Sequence, residues 1–184
     1  MTRLKNFLPP YILKIMYNSL VMPYLQYGIL VWGSCADKLF KLQKRSVRIL
    51  NNAKYNAHTD PIFKSLHLLK VLDISRLQEI KFIYKFENSM LPKYFISMFT
   101  RNSHIHSYST RNSNHLVIPS SRHTFVKNSI RFRMPGIFNS LPISIRLKLS
   151  THSYQGFGRY VKTFLINDYN ANCQNTNCYV CSNA

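Results

Sequence analysis

Acidic residues are scarce in this chain. Its 184 residues include six Asp and Glu against 25 Lys and Arg, which gives a formal net charge of +19 at pH 7. Two-metal phosphoryl or nucleotidyl transfer needs carboxylates that converge on divalent ions, and no two acids here are closer than six positions in sequence. We therefore expect no polymerase, nuclease or kinase active site within this chain, and we assign no catalytic residue among Asp37, Asp60, Asp73, Glu79, Glu87 and Asp168.

Glycine and cysteine are also few. With five Gly, nothing resembles a glycine-rich loop that cradles phosphates, and we expect no cofactor. Three of the four Cys, Cys173, Cys178 and Cys181, form a C-x4-C-x2-C cluster at the C-terminus. A structural zinc site needs four ligands, no fourth follows, and His152 is distant in sequence. Reduced thiols are therefore the prediction, with no metal bound, and a truncated zinc module is the alternative.

Long apolar runs are missing too. The most apolar stretch, from Ile12 to Trp32, is about as long as a membrane span but contains Lys14, Asn18 and Pro23. This interruption favours a buried core helix over a membrane segment. The N-terminal residues do not form a secretory signal, so we expect an intracellular protein that does not span a membrane.

What the chain does have is apolar material and positive charge. Hydrophobic residues make up 46% and aromatic residues 14%, enough for a packed core and unlike a disordered basic tail. A globule with this net charge repels itself unless an anionic partner neutralises it. Nucleic acid is the first partner to consider, and an acidic membrane surface is the second.

The pattern predicts a mainly α (α+β) fold with a change of texture near residue 100. A helical domain is predicted over 1–100, a basic segment over 101–168 with short strands and a last helix, and a loose tail over 169–184. The first helix should begin at Pro10 and break near Pro23. The strands are predicted because Val126, Ile130 and Phe132 partly alternate with basic residues. The other predicted helices are Lys38–Leu50, a short one from Pro61, one from an N-cap at Asp73 to Asn88, and one from Ser153 to about Asp168.

The Lys38–Leu50 helix carries the clearest candidate site. At about 100° per residue, five cations fall within an arc of about 120°, with no acid on the helix and the apolar residues placed on the other side. An ordinary solvated face mixes charges of both signs, so the one-signed stripe favours contact with nucleic acid. The five cations are Lys38, Lys41, Lys44, Arg45 and Arg48, and the apolar residues are Leu39, Phe40, Leu42, Val47, Ile49 and Leu50.

A second group of phosphate-contact candidates lies in the basic segment: Arg111, Lys127, Arg131 and Arg133. If the segment is extended, Arg131 and Arg133 share one side, because side chains alternate along a strand. Such cations position a nucleic acid by its phosphates without selecting its sequence. The alternative for this group is charge that serves solubility alone.

Two further clusters have ordinary explanations. Tyr24, Tyr27 and Trp32 could stack on single-stranded bases, but aromatic residues at helical spacing are more often core, and core is the prediction. Four crowded histidines have no acid nearby, so we predict a surface loop rather than a metal site. These are His104, His106, His115 and His123.

Four segments together resemble a known family. FLPPYILKIMYNSLVMPYLQYGILVWGS resembles the segment after the palm in reverse transcriptases of jockey-like non-LTR retrotransposons. KLFKLQKRSVRIL, HTDPIFKSLHLLKVLDISRLQEIKFIYKFENSMLP, and the pair IHSYSTRNSN and KNSIRFRMPGIFNSLP resemble the blocks that follow, in the same order. The resemblance covers roughly Lys5 to Leu165, although none of these motifs is catalytic.

This resemblance implies a thumb and post-thumb region of an RNA-directed DNA polymerase from a mobile element. Its catalytic aspartates would lie upstream in a palm domain, a possible partner within a longer polyprotein, and the thumb would hold the template–primer backbone. Two departures are Phe138, where the family usually has Trp, and Gly156 and Gly158 in the last helix. The alternative is a folded relic or an interaction protein, bound to protein or to an anionic membrane surface, with no nucleic-acid role.

Overall fold

The fold is mainly helical, as the sequence predicts. The computed structural model describes residues 3–33, 36–105, 108 and 110–169. A π-helical turn covers Tyr17–Val21 and a 3-10 turn covers Asn102–His104. The α-helices are α1 (Pro10–Met16), α2 (Met22–Gln26), α3 (Ile29–Trp32), α4 (Asp37–Leu50), α5 (Asp60–Ser65), α6 (Val71–Glu87), α7 (Lys93–Ser97), α8 (Thr124–Lys127), α9 (Ile130–Asn139), α10 (Ile143–Thr151) and α11 (Tyr154–Asn167).

The N-terminal helical segment is shaped by its prolines and by one glycine. Pro10 begins α1, a position that suits its fixed φ and missing N–H. The predicted break near Pro23 appears as the π-helical turn just before it, where a proline cannot donate the next helical hydrogen bond. Gly28, with φ of +62°, separates α2 from α3, and L-residues rarely adopt this left-handed conformation.

The predicted short strands are wrong. Val126 lies in α8, and Ile130 and Phe132 lie in α9. Within the described ranges, strand-like pairing is limited to one isolated antiparallel bridge between Arg101 and Leu116. The residues of α9 that pack inward include Met134 and Phe138, whose i, i+4 spacing is that of a helix face.

The described residues divide between two compact units, one drawn from positions 1–75 and 162–184 and the other from positions 76–161. The division falls inside α6 and inside α11, and the predicted domain boundary near residue 100 stays a prediction. The predicted tail is described only at Tyr169, and the three C-terminal cysteines lie outside the described residues. The helix predicted from Asp73 begins two residues earlier, at Val71, which puts Asp73 in its first turn.

Each unit has its own apolar core. In the first unit Tyr17, Val47 and Phe63 are fully buried. In the second unit Ile83 and Phe157 are equally buried, and the rings of Tyr84 and Phe157 lie 4.9 Å apart between centroids. Four residues spaced three or four positions apart along α6 are all buried: Ile74, Leu77, Ile80 and Tyr84.

Tyr169, which follows α11, packs against other residues of the first unit. Its hydroxyl donates a hydrogen bond to Asp73 and accepts one from the backbone N–H of Lys70 at 3.0 Å. Its ring packs edge-on against Phe63, with centroids 6.4 Å apart. Burial raises the pKa of the Tyr169 phenol far above its ordinary value of 10.0, and the hydrogen bond to Asp73 raises the pKa further.

This raised pKa predicts a loss of stability in base. The neutral phenol stabilises the folded state fully below pH 10, and that contribution declines as the pH rises above the unfolded pKa. We expect the difference in unfolding free energy between the wild type and Tyr169→Phe to shrink above pH 10, by up to about 1.4 kcal/mol per pH unit. Urea unfolding at pH 8 to 11.5 measures it, and a constant difference across that range would contradict the assignment.

Candidate nucleic-acid interface

Helix α4 buries one face and exposes another. It runs from Asp37 to Leu50, so the predicted helix is confirmed. Gln43, Val47 and Leu50 are buried at the i, i+4, i+7 spacing of a single face, and Ala36 continues that face just before the helix.

The five predicted cations of α4 divide into two sets. Lys38, Lys41 and Arg45 are exposed. Lys44 is half-buried, and its Nζ lies 4.3 Å from the centroid of the Phe40 ring. Arg48 is also half-buried, and its Nε donates a hydrogen bond of 2.8 Å to the Ala57 carbonyl. The exposed set is therefore directed to solvent, whereas the other two cations also serve the fold.

Two details of the predicted stripe are wrong. The helix has one acid, because it begins at Asp37, in the first turn where a carboxylate suits the helix dipole. Leu42 was placed on the apolar side, but its exposed fraction is 61%. At about 100° per residue, Leu42 lies about 40° from Lys38 and about 140° from Val47, and so outside the buried arc.

Gln43 is a buried polar residue that the sequence pattern did not indicate, and it is 1% exposed. Its Nε2 donates to the Tyr17 hydroxyl at 3.0 Å and to the Leu69 carbonyl at 2.8 Å, and its Oε1 accepts from the Val71 N–H at 2.7 Å. Burial raises the pKa of Tyr17, and the hydrogen bond from Gln43 offsets part of that rise. This amide joins α4 to the π-helical turn and to the start of α6, and it fixes the orientation of the basic face within the first unit.

Two lysines that repel each other lie in the same unit. Partial burial lowers the pKa of the Lys162 ammonium group, and repulsion from Lys14 lowers it further. Neither residue belongs to the predicted stripe, and because they are far apart in sequence, no local pattern indicates that they lie close together. Bringing an anion close would relieve this repulsion.

The second predicted group lies in the second unit, and it contains three exposed cations and one that is part of an ion pair. Arg111, Lys127 and Arg131 are exposed. Arg133 is instead paired with Glu79, with Nη2 and Oε1 2.8 Å apart and side-chain exposures of 18% and 8%. Arg131 and Arg133 would share one side only in an extended segment, and both lie in α9, where two positions differ by about 200°.

The prediction that Tyr24, Tyr27 and Trp32 belong to the core is wrong for the two tyrosines. Tyr24 is 82% and Tyr27 is 84% exposed. Trp32 is half-buried, and its Nε1 donates a hydrogen bond of 2.6 Å to the Tyr27 carbonyl. The residues that do reach the core from this segment are Leu25 and Ile29.

Four of the six acids make structural contacts, and the contact of Glu79 with Arg133 is given above. Asp60 pairs with Lys70 at 2.8 Å, Glu87 pairs with Arg101 at 2.6 Å, and Asp73 accepts from Tyr169. In the part of the chain that the structure describes, no three His, Cys, Asp or Glu side chains are grouped as metal ligands. His106 falls outside that part, whereas His104 and His123 are exposed and His115 is half-buried.

Comparison with known proteins identified no relative of this chain. No protein-family model, curated protein or solved structure matches the chain. Among the described helices, none is both long enough and apolar enough to cross a bilayer.

Proposed function

We propose that this chain is the thumb and post-thumb region of a non-LTR retrotransposon reverse transcriptase, and that it binds nucleic acid without catalysing a reaction. Its role is to hold the template–primer duplex by the backbone, inside the cell, while a palm domain carries out RNA-directed DNA synthesis. The proposal is supported by the four ordered sequence segments that resemble this family and by the net charge of +19.

The observation that carries the proposal is the exposed basic face of α4. Lys38, Lys41 and Arg45 are exposed on a helix whose opposite face is buried. Lys38 and Arg45 are seven positions apart, which corresponds to a rise of about 10 Å along the helix. This length is close to three phosphate steps of about 3.4 Å along one strand of a duplex. Three cations over this length suit contact with phosphates within a run of four, and such contacts carry no sequence preference.

Salt-dependent binding tests the proposal directly. Fluorescence anisotropy with a labelled RNA–DNA hybrid, repeated across salt concentrations, is expected to give a linear fall of log affinity with log salt. The slope should be about −0.9 for each phosphate that a cation neutralises. No binding, or binding whose affinity is indifferent to salt, would contradict the proposal.

A second candidate function is supported by exposed apolar side chains in the N-terminal segment. Tyr11, Ile15, Tyr24, Tyr27 and Val31 are between 58% and 84% exposed. Exposed apolar surface marks an interaction site where it is contiguous, and the palm domain of a longer polyprotein is the partner that the family resemblance suggests. Binding to anionic vesicles with no binding to nucleic acid would favour the membrane-surface form of this alternative.

A further inference from the structure

The second unit contains a pocket whose lining includes no residue of α4. Its volume is about 670 Å³, within the range of about 300–1,000 Å³ that is usual for small-molecule sites. One wall is the segment 118–121, and another is formed by residues of α9 between Phe132 and Ile137 together with Ser140 just after that helix. Lys127 and Glu79 complete the lining.

The polar part of this lining is fixed by an ion pair. Glu79 is 6% exposed and pairs with Arg133, whose Nη2 lies 2.8 Å from Glu79 Oε1. Breaking such a buried pair is strongly unfavourable, so both groups are held in place. They give the pocket a carboxylate acceptor and a guanidinium donor in a set position.

The rest of the lining combines three kinds of surface. Ile118, Phe132 and Ile137 contribute apolar area, and Ser120, Ser121 and Ser140 contribute hydroxyl groups. Lys127 lines the pocket as well and is exposed to solvent, so it contributes a positive charge.

We infer that this pocket binds one unpaired nucleotide. In this arrangement the face of the base contacts the apolar wall. The serine hydroxyls and the Glu79 carboxylate form hydrogen bonds with the polar edge of the base and with the sugar. The Lys127 ammonium group pairs with the phosphate. A phosphate alone would leave the apolar wall unused, and an apolar ligand would leave the charged groups unused. This site goes beyond the proposed duplex clamp, because it recognises a nucleotide that has no pairing partner.

Gly136 offers a way to close the pocket without disturbing the fold. It lines the pocket within α9, and a Cβ built on it would meet nothing within 4 Å. A larger side chain there extends into open space. Leucine is also favoured over glycine inside a helix, so Gly136→Leu should fill the pocket while the protein stays folded.

Isothermal titration calorimetry tests the inference with four probes: ribonucleoside monophosphates, the matching nucleosides, ribose 5-phosphate and an unlabelled single-stranded pentanucleotide. We expect the monophosphates to bind at least about tenfold more tightly than ribose 5-phosphate or the nucleosides. Gly136→Leu should abolish this binding and Lys127→Gln should weaken it about tenfold. Equal binding by Gly136→Leu and the wild type, or no nucleotide binding by the wild type, would overturn the inference.

Matched variants separate this site from the rest of the protein. Gly136→Ala adds one methyl group and should retain binding, and Lys93→Gln removes an exposed charge that does not line the pocket. Variants of the α4 cations should bind monophosphates as the wild type does, so failure of the duplex clamp and failure of this pocket are distinguishable. Pentanucleotide binding that is much tighter than monophosphate binding, and is lost in Gly136→Leu, would identify a nucleic-acid strand as the source of the nucleotide.

Discussion

Replacing Lys38, Lys41 and Arg45 together with Gln is expected to weaken binding to an RNA–DNA hybrid by about 100-fold or more at 0.1 M salt. These three side chains are the exposed cations of α4. Each one that neutralises a phosphate releases condensed counterions, and the free energy of that release is lost with the charge. The slope of log affinity against log salt should therefore become shallower by about 2.7, which is three contacts at about 0.9 each.

Anisotropy titrations at several salt concentrations measure both the affinity and the slope. The matched control is Arg3→Gln, Arg76→Gln and Lys93→Gln in one chain, since these residues are also exposed and the net charge falls by the same amount. A general effect of net charge would give both variants the same loss. If the slope of log affinity against log salt is the same for the α4 variant and this control, the proposal that α4 contacts the duplex is contradicted.

Lys44 and Arg48 are left unchanged in this design for a structural reason. Arg48 supports the chain after α4 through its hydrogen bond to the Ala57 carbonyl, and Lys44 packs over the Phe40 ring. Substituting them would mix a loss of stability with a loss of phosphate contact. The three exposed cations isolate the electrostatic contribution.

The sequence was sufficient to predict α4 and its basic face because both depend on local periodicity. Helical spacing alone places Lys41 and Arg45 together. The hydrophobic pattern did not predict which residues bound the buried face of α4. Gln43 lies between Val47 and Leu50 in angle around the helix, so helical spacing places it on the buried face. Because its side chain is polar, it was not assigned to that face.

The helix α9 was mistaken for a strand because two local signals pointed the wrong way. Pro135 lies inside the helix, where proline removes a backbone hydrogen bond. The basic residues on either side of Phe132 give an alternation of apolar and basic residues that is typical of a strand. Packing decides the outcome, since Met134 and Phe138 are buried one turn apart. Tertiary burial overrides local propensity in such segments.

Tyr24 and Tyr27 show the opposite failure. Their helical spacing among apolar neighbours predicted burial, yet only Leu25 and Ile29 from this stretch are buried in the core.

The pocket in the second unit could not be predicted from the sequence for a different reason. Glu79 and Arg133 are 54 positions apart in sequence, and no local pattern indicates that they form an ion pair.

Gln43→Met is expected to lower the free energy of unfolding by about 3–5 kcal/mol. Methionine has a similar length and keeps the packing, but it cannot replace the three hydrogen bonds of the amide. The Tyr17 hydroxyl, the Leu69 carbonyl and the Val71 N–H would then lose their Gln43 partner. Each buried polar group left unsatisfied costs about 1–3 kcal/mol, against a total stability of about 5–15 kcal/mol for an ordinary domain.

Urea denaturation followed by circular dichroism measures this loss, and two variants show where it arises. Leu42→Gln changes the exposed neighbour of Gln43 and should shift stability by less than about 0.5 kcal/mol. Tyr17→Phe removes only one of the three partners and should cost about 1 kcal/mol. A loss of less than 1 kcal/mol in Gln43→Met would mean that the amide does not hold α4 in place. A full loss would explain why the helix that presents the cations tolerates a polar residue at the centre of its buried face.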